Sequence, residues 1–186
     1  MTLEKLKKYL QKKINETVFD IIIYGSCVKG KSKPNDIDVL VIFNNEFSLK
    51  QRLDEIQKIK LEENFDFKLD IKQILLQELF SASFLARTGI FLEGISIKQN
   101  KLFSETIGFK SFSLFTYDLS NLKHSEKVKF NYILAGRNKK GIIEELSGIR
   151  LVSGAIKIPI ENSLIFEEIL KNNKINYNKF DVLEKI

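Results

Sequence analysis

Two apolar runs separated by a short polar stretch constrain this chain most. Ile21-Ile22-Ile23-Tyr24 stops at Gly25-Ser26-Cys27, and Asp36-Ile37-Asp38 then opens Val39-Leu40-Val41-Ile42-Phe43. Both runs are rich in β-branched residues and too short for buried helices, so each predicts a buried strand. Alternation along a strand puts Asp36 and Asp38 on one side and Ile37 on the other. Two carboxylates side by side at the end of a buried strand repel each other unless a cation neutralises them. Their hard oxygens suit Mg²⁺, which completes its shell with phosphate oxygens and water. The Gly25-Ser26 turn supplies the other half of such a site. Glycine permits positive φ and a close approach of the backbone, and serine offers a hydroxyl and a cap for a short helix to follow. Exposed N–H groups at such a turn attract an anion. Together these residues predict a metal–nucleotide site.

Gly25-Ser26, a tail containing Gly30, and Asp36-Ile37-Asp38 after Asn35 resemble the signature of the DNA polymerase beta-like nucleotidyltransferase superfamily. The resemblance runs over residues 18–103 and is nearest to the small prokaryotic minimal nucleotidyltransferases. It implies an α+β chain whose nucleotidyltransferase fold is a small mixed sheet flanked by helices. It also implies a nucleoside triphosphate held at Gly25 and Ser26, and two Mg²⁺ ions on Asp36 and Asp38. A nucleoside monophosphate would pass to a hydroxyl acceptor, with help from a third carboxylate on a later strand. Phe65–Lys72 alternates strictly, so Asp66, Lys68, Asp70 and Lys72 share a face of a half-buried strand. Alternation admits Asp66 or Asp70 as the third carboxylate. Family topology favours Asp70, followed by a helix over 74–87. The basic loop 28–35 carries Lys29, Lys31 and Lys33, and Lys29, nearest the turn, is the expected phosphate contact. Cys27 stands where a basic or small residue is frequent and Asn35 where serine is common, which bears on the subgroup rather than the chemistry.

Leu3, Leu6, Leu10 and Ile14 predict a helix over 2–15 that Thr2 caps, and Leu49, Leu53, Ile56 and Ile59 another over 48–62 capped by Ser48. Residues 90–97 resemble the family's short closing segment, so the catalytic domain is expected over 1–103 and an accessory domain over 104–186. In the latter, Phe109, Phe112, Leu114, Phe115 and Tyr117 read as core. Helices are expected at 125–135, ending at Gly136, at 142–146 and at 163–170, with a strand or hairpin at 151–159. This small C-terminal α/β domain loosely evokes a winged-helix module. From Lys123 to Lys140 the only acidic side chain is Glu126. Lys127, Lys129, Arg137, Lys139 and Lys140 are the candidates for nucleic-acid phosphates, which position a strand without reading its sequence. A solvated helix face is the competing reading. His124, the only histidine, reads as surface, and no Cys/His cluster exists for zinc.

With 186 residues, 44% of them apolar and 29% charged, the chain reads as soluble and globular, in one domain or two small ones. A net charge of +6 suits a polyanionic partner. One cysteine excludes a disulfide framework and fits a reducing compartment. No apolar run approaches the ~18–20 residues of a membrane span, and charges interrupt the amino terminus, unlike a signal peptide. A cytoplasmic protein is expected. The acceptor stays open among an RNA end, a protein hydroxyl and a small molecule such as an aminoglycoside. A rival from another class is a non-catalytic nucleic-acid-binding or regulatory module on the same fold. Intact Asp36, Asp38 and Asp70 weigh against it.

Overall fold

The computed structural model describes residues 3–31, 36–61 and 68–186. Thr2, Lys33, Asn35, Phe65 and Asp66, all named above, lie outside the described residues. The chain divides into two compact units, residues 1–28 with 32–108, and residues 29–31 with 109–186.

The first unit runs α1 (Leu3–Gln11), β1 (Val18–Tyr24), β2 (Asp36–Phe43), α2 (Leu49–Leu61), β3 (Lys68–Leu75), α3 (Arg87–Glu93), β4 (Ile95–Ser96), β5 (Lys101–Leu102) and α4 (Phe103–Thr106). Its five strands form one mixed sheet in the order β3-β2-β1-β4-β5. Strand β2 runs antiparallel to β1 and parallel to β3. The strands are apolar on both sides because helices cover both faces. Ile21, Ile23, Val39, Val41 and Phe43 pack with Leu6 and Leu10 of α1 and Ile56 and Ile59 of α2. Ile22, Leu40, Ile42 and Ile74 pack on the other face with Leu79, Ile90 and Phe103. Tyr9 ties the two helices of the first face together by donating its hydroxyl to the Ile59 carbonyl at 2.6 Å. Ser48 and Gln51 begin α2 with reciprocal side-chain to backbone bonds, an arrangement that satisfies otherwise orphaned amides.

The helix expected over 74–87 does not form. Strand β3 continues to Leu75, followed by a 3₁₀ turn at Leu76–Phe80, and α3 starts only at Arg87. Ile74 and Leu75 belong to apolar clusters on opposite faces of the sheet, which two consecutive residues reach only in an extended strand. The expected closing segment at 90–97 is the end of α3 plus β4.

The second unit runs β6 (Phe109–Asp118), α5 (His124–Ala135), α6 (Ile142–Glu145), β7 (Ile149–Val152), β8 (Ala155–Pro159), α7 (Ser163–Asn172) and β9 (Asn176–Lys185). Its antiparallel sheet has the order β7-β8-β6-β9, a split β-α-β-β-α-β arrangement. Phe115 of β6 and Ile156 and Ile158 of β8 meet Phe130 and Leu134 of α5 and Phe166 and Leu170 of α7 in its core. The pattern of helices and one hairpin read from the sequence is present. The two ten-residue strands β6 and β9 that anchor it were not anticipated, and they make this unit a sheet with helices on one face. Phe112 and Phe115 are buried, as expected of the aromatic cluster. Among the described residues no helix is long and apolar enough to cross a membrane.

Candidate active site

Strand β1 ends at Tyr24, and the chain turns at Gly25 with φ +88°, a conformation that glycine adopts without strain. The Val28 amide donates to the Gly25 carbonyl at 3.1 Å and Cys27 Sγ to the Tyr24 carbonyl at 3.4 Å, which closes the turn. No regular helix follows Ser26. Residues 26–30 are a succession of turns, so the expected serine cap has no helix to cap. A Cβ on Gly25 would come within 2.6 Å of Asp38 Oδ2, so the bend lies against that carboxylate.

Asp36 and Asp38 open β2, and Asp70 is the third residue of β3. Register makes Asp38 the partner of Tyr24 on one side and of Asp70 on the other. Side chains paired across neighbouring strands share a face. Tyr24, Asp38 and Asp70 therefore form a row across three strands, with Asp36 two residues further along the same side. This is the side on which Ile22, Leu40 and Ile42 are packed under α3 and α4, and the carboxylates stand where that apolar cover ends. Asp36 is exposed and Asp38 half-buried.

Lys72, two residues past Asp70, points to the same side. Its Nζ lies 3.6 Å from Asp70 Oδ2. The phenol of Tyr24 first, and then the two aspartates, hold its pKa above the ordinary value against some desolvation. Tyr24 is itself pushed up by burial, opposed by Lys72, and its hydroxyl makes no hydrogen bond of regular geometry among the described residues. Burial raises the Asp38 carboxyl; Lys72 opposes this, while Asp36 and Asp70 add to it by repulsion. The Cys27 thiol is pushed up to about 11 by burial, with Asp38 and then Glu93 contributing charge. Neither Lys72 nor the buried Glu93 was singled out in the sequence. The strict alternation of β3 held the signal for Lys72, whereas nothing in the sequence marked Glu93.

Among the described residues no three His, Cys, Asp or Glu side chains enclose a position for an ion. Asp36, Asp38 and Asp70 nevertheless form an oxygen-only donor set on one open side of the sheet. That set fits a divalent ion whose shell phosphate oxygens and water complete, rather than a closed protein cage. Carboxylate oxygens are the ligand type that Mg²⁺ takes.

The second unit places the remaining candidates. Lys29–Lys31 group with it, and the Lys29 carbonyl accepts from the Leu164 amide at 3.2 Å. Lys127 and Lys129 lie on α5, whose end is set by Gly136 at φ +78°. Arg137, Lys139 and Lys140 follow in the exposed loop. Arg137 stacks 5.2 Å from the centre of the Tyr132 ring, and Lys140 pairs with Glu144 at 2.9 Å.

No curated protein and no solved structure matches the chain. Residues 3–91 match the family model of the nucleotidyltransferase domain, a span that takes in the Gly25 bend and strands β1 to β3. Over residues 3–91 the chain is thus similar to nucleotidyltransferase domains.

Proposed function

We propose that the protein is a Mg²⁺-dependent nucleotidyltransferase that moves a nucleoside monophosphate from a nucleoside triphosphate to a hydroxyl acceptor, RNA or protein. One observation carries this reading: the in-register pair Asp38 and Asp70, with the Gly25 bend against Asp38 Oδ2. Asp36, Asp38 and Asp70 would hold the metal. Divalent ions bound there would lower the pKa of the acceptor hydroxyl and neutralise charge on the departing pyrophosphate. The open bend at Gly25 and Ser26 would seat the β- and γ-phosphates and fix the α-phosphorus in line with the acceptor. Lys29 is the proposed further phosphate contact. Lys127, Lys129, Arg137, Lys139 and Lys140 favour RNA as acceptor, because cations on an exposed helix and loop suit a polyanion better than a protein surface. The single cysteine suits a cytoplasmic setting.

A second reading has a specific observation behind it. The Lys72 ammonium already lies beside Asp70, as it would in a non-catalytic nucleic-acid-binding or regulatory module on the same fold. Incubation with α-labelled nucleoside triphosphates, Mg²⁺ and either total RNA or co-purifying protein separates the two. Label should pass to an acceptor with the natural chain and not with Asp38→Ala, whose circular dichroism should be unchanged. Near-normal transfer by Asp38→Ala would overturn the assignment, and absence of label with RNA retained would favour the non-catalytic module.

A further inference from the structure

The second unit contains a recess that the transfer reading does not use. It has a volume of about 350 Å³ and lies between β6, α5 and the β7–β8 turn. Lys127, Asn131, Arg150 and Ser153 are among its lining residues. The volume is at the small end of ligand sites, about 300–1,000 Å³.

Two cations, Lys127 and Arg150, line this recess, and neither is in an ion pair within 4 Å among the described residues. The ion pairs of this unit among the described residues join Lys140 to Glu144, Lys157 to Glu184, and Lys171 and Lys179 to Glu167. Lys127 and Arg150 take part in none of them. Asp118 also lines the recess, but its carboxylate is already engaged. It accepts the Ser120 amide at 2.8 Å and the Ser120 hydroxyl. These bonds, with Lys127 contributing, hold its pKa below the ordinary value. What remains is a guanidinium, an ammonium, an amide and a hydroxyl around a space open to solvent. A guanidinium fork with added neutral donors is the usual recognition set for a phosphate group.

The surroundings indicate what carries the phosphate. Tyr132 is 46% exposed on α5, with the Arg137 guanidinium over its ring. A second recess, about 420 Å³, lies past the far end of α5 and is lined in part by Tyr132, Arg137, Lys139 and Lys140. Lys127 of the first recess and Tyr132 of the second are five positions apart within α5, roughly 7.5 Å along the axis at 1.5 Å per residue. That distance corresponds to about two nucleotides at a stacked rise of 3.4 Å. A mononucleotide would occupy one recess and leave the other, whereas a strand crossing α5 reaches both and meets the exposed Tyr132 ring that lines the second. Single strands are held by this combination of phosphate-tracking cations and stacking side chains.

We propose that the recess formed by Lys127, Asn131, Arg150 and Ser153 seats a backbone phosphate of a single-stranded polynucleotide lying along α5. The proposal rests on the RNA-acceptor reading above and names where that acceptor is gripped.

The test uses the full chain and a labelled single-stranded RNA of about 12 nucleotides, within the site sizes usual for such proteins. Fluorescence anisotropy is followed over a salt series without Mg²⁺ or nucleoside triphosphate. Arg150→Gln and Lys127→Gln should each weaken binding several-fold. Each should also reduce the slope of log K against log salt by about 0.7, the value for one lost phosphate contact on a single strand. Both side chains are at least partly exposed, so thermal unfolding midpoints should match the natural chain; Arg150→Glu should weaken binding further than Arg150→Gln. Unchanged affinity and slope in both glutamine variants would overturn the proposal, as would absence of RNA binding by the natural chain at low salt. A parallel loss of nucleoside triphosphate affinity would also overturn it, by making the recess a mononucleotide site. Asp38→Ala should bind the RNA like the natural chain, so a failed transfer assay with this pattern intact sinks the transferase reading alone.

Discussion

Gly25 and Asp38 are so close that a methyl group on the glycine would lie 2.6 Å from the carboxylate oxygen Oδ2. The bend that would receive the polyphosphate and the carboxylate that would hold the metal therefore fit against each other directly. Gly25→Ala must strain a backbone at φ +88° and push Asp38 aside together. The expected result is a stability loss of about 1–3 kcal/mol and a fall in kcat/KM of about 10²-fold. Denaturant melts and transfer assays on the same preparation check both. A variant with normal turnover would show that the contact has no part in the reaction.

Lys72 lies 3.6 Å from Asp70 and lowers the cost of gathering carboxylates on one side of the sheet. A divalent ion bound there would have to compete with that ammonium. Lys72→Met should therefore bind Mg²⁺ several-fold more tightly, as read by calorimetry with the metal alone. Weaker binding in the variant would mean that Lys72 orients Asp70 rather than competing for it.

Cys27, the only cysteine, has its thiol pushed up to about 11 by burial and by the charge of Asp38. At pH 8 roughly one molecule in a thousand would carry the reactive thiolate. Alkylation of the folded chain should be slower than that of the chain in urea by about two orders of magnitude. Equal rates in the two states would show an open, unperturbed thiol.

Glu167 joins α7 to β9 in the second unit. Burial works against its charge, but donors from Lys171, Tyr177 and Lys179 outweigh it and hold the carboxyl at about 2, below the ordinary 4.5. A depressed carboxyl stabilises the fold above its unfolded pKa, and that stability disappears as pH falls through the folded value. The natural chain should therefore lose stability between about pH 5 and pH 2, whereas Glu167→Gln should show a flatter profile there and cost about 2 kcal/mol at neutral pH. Urea midpoints measured across that range give the comparison.

The first unit was readable where burial and alternation agreed. Val18–Tyr24 and residues 36–43 are apolar runs buried on both faces of the sheet, and the 49–61 helix carries a helical period whose Ile56 and Ile59 meet one of those faces. Strand alternation places Asp36 and Asp38 on one side but leaves Asp66 and Asp70 both open as the third carboxylate, and the choice of Asp70 rests on what the family resemblance implies. The stretch from Ile74 to Ala86 has an apolar spacing that suits a helix, but its first two residues, Ile74 and Leu75, serve apolar clusters on opposite faces of the sheet. Strand β9 could not be read, because Asn176–Lys185 lies at a sheet edge, where exposed Phe180 and Leu183 blur the alternation. Arg150 and Ser153 carried no signal, since only the pairing of β7 with β8 brings them beside Lys127 of α5.

Strands β2 and β3 run in the same direction, so the intervening chain must travel back along α2 before Asp70 can reach Asp38. A fragment ending at Phe43 would contain the bend and two carboxylates but lack the third. During synthesis on the ribosome, the complete carboxylate row cannot exist until helix α2 has closed over Ile21 and Val41. Assembly of that row is therefore a report on the central crossover rather than on any local hairpin.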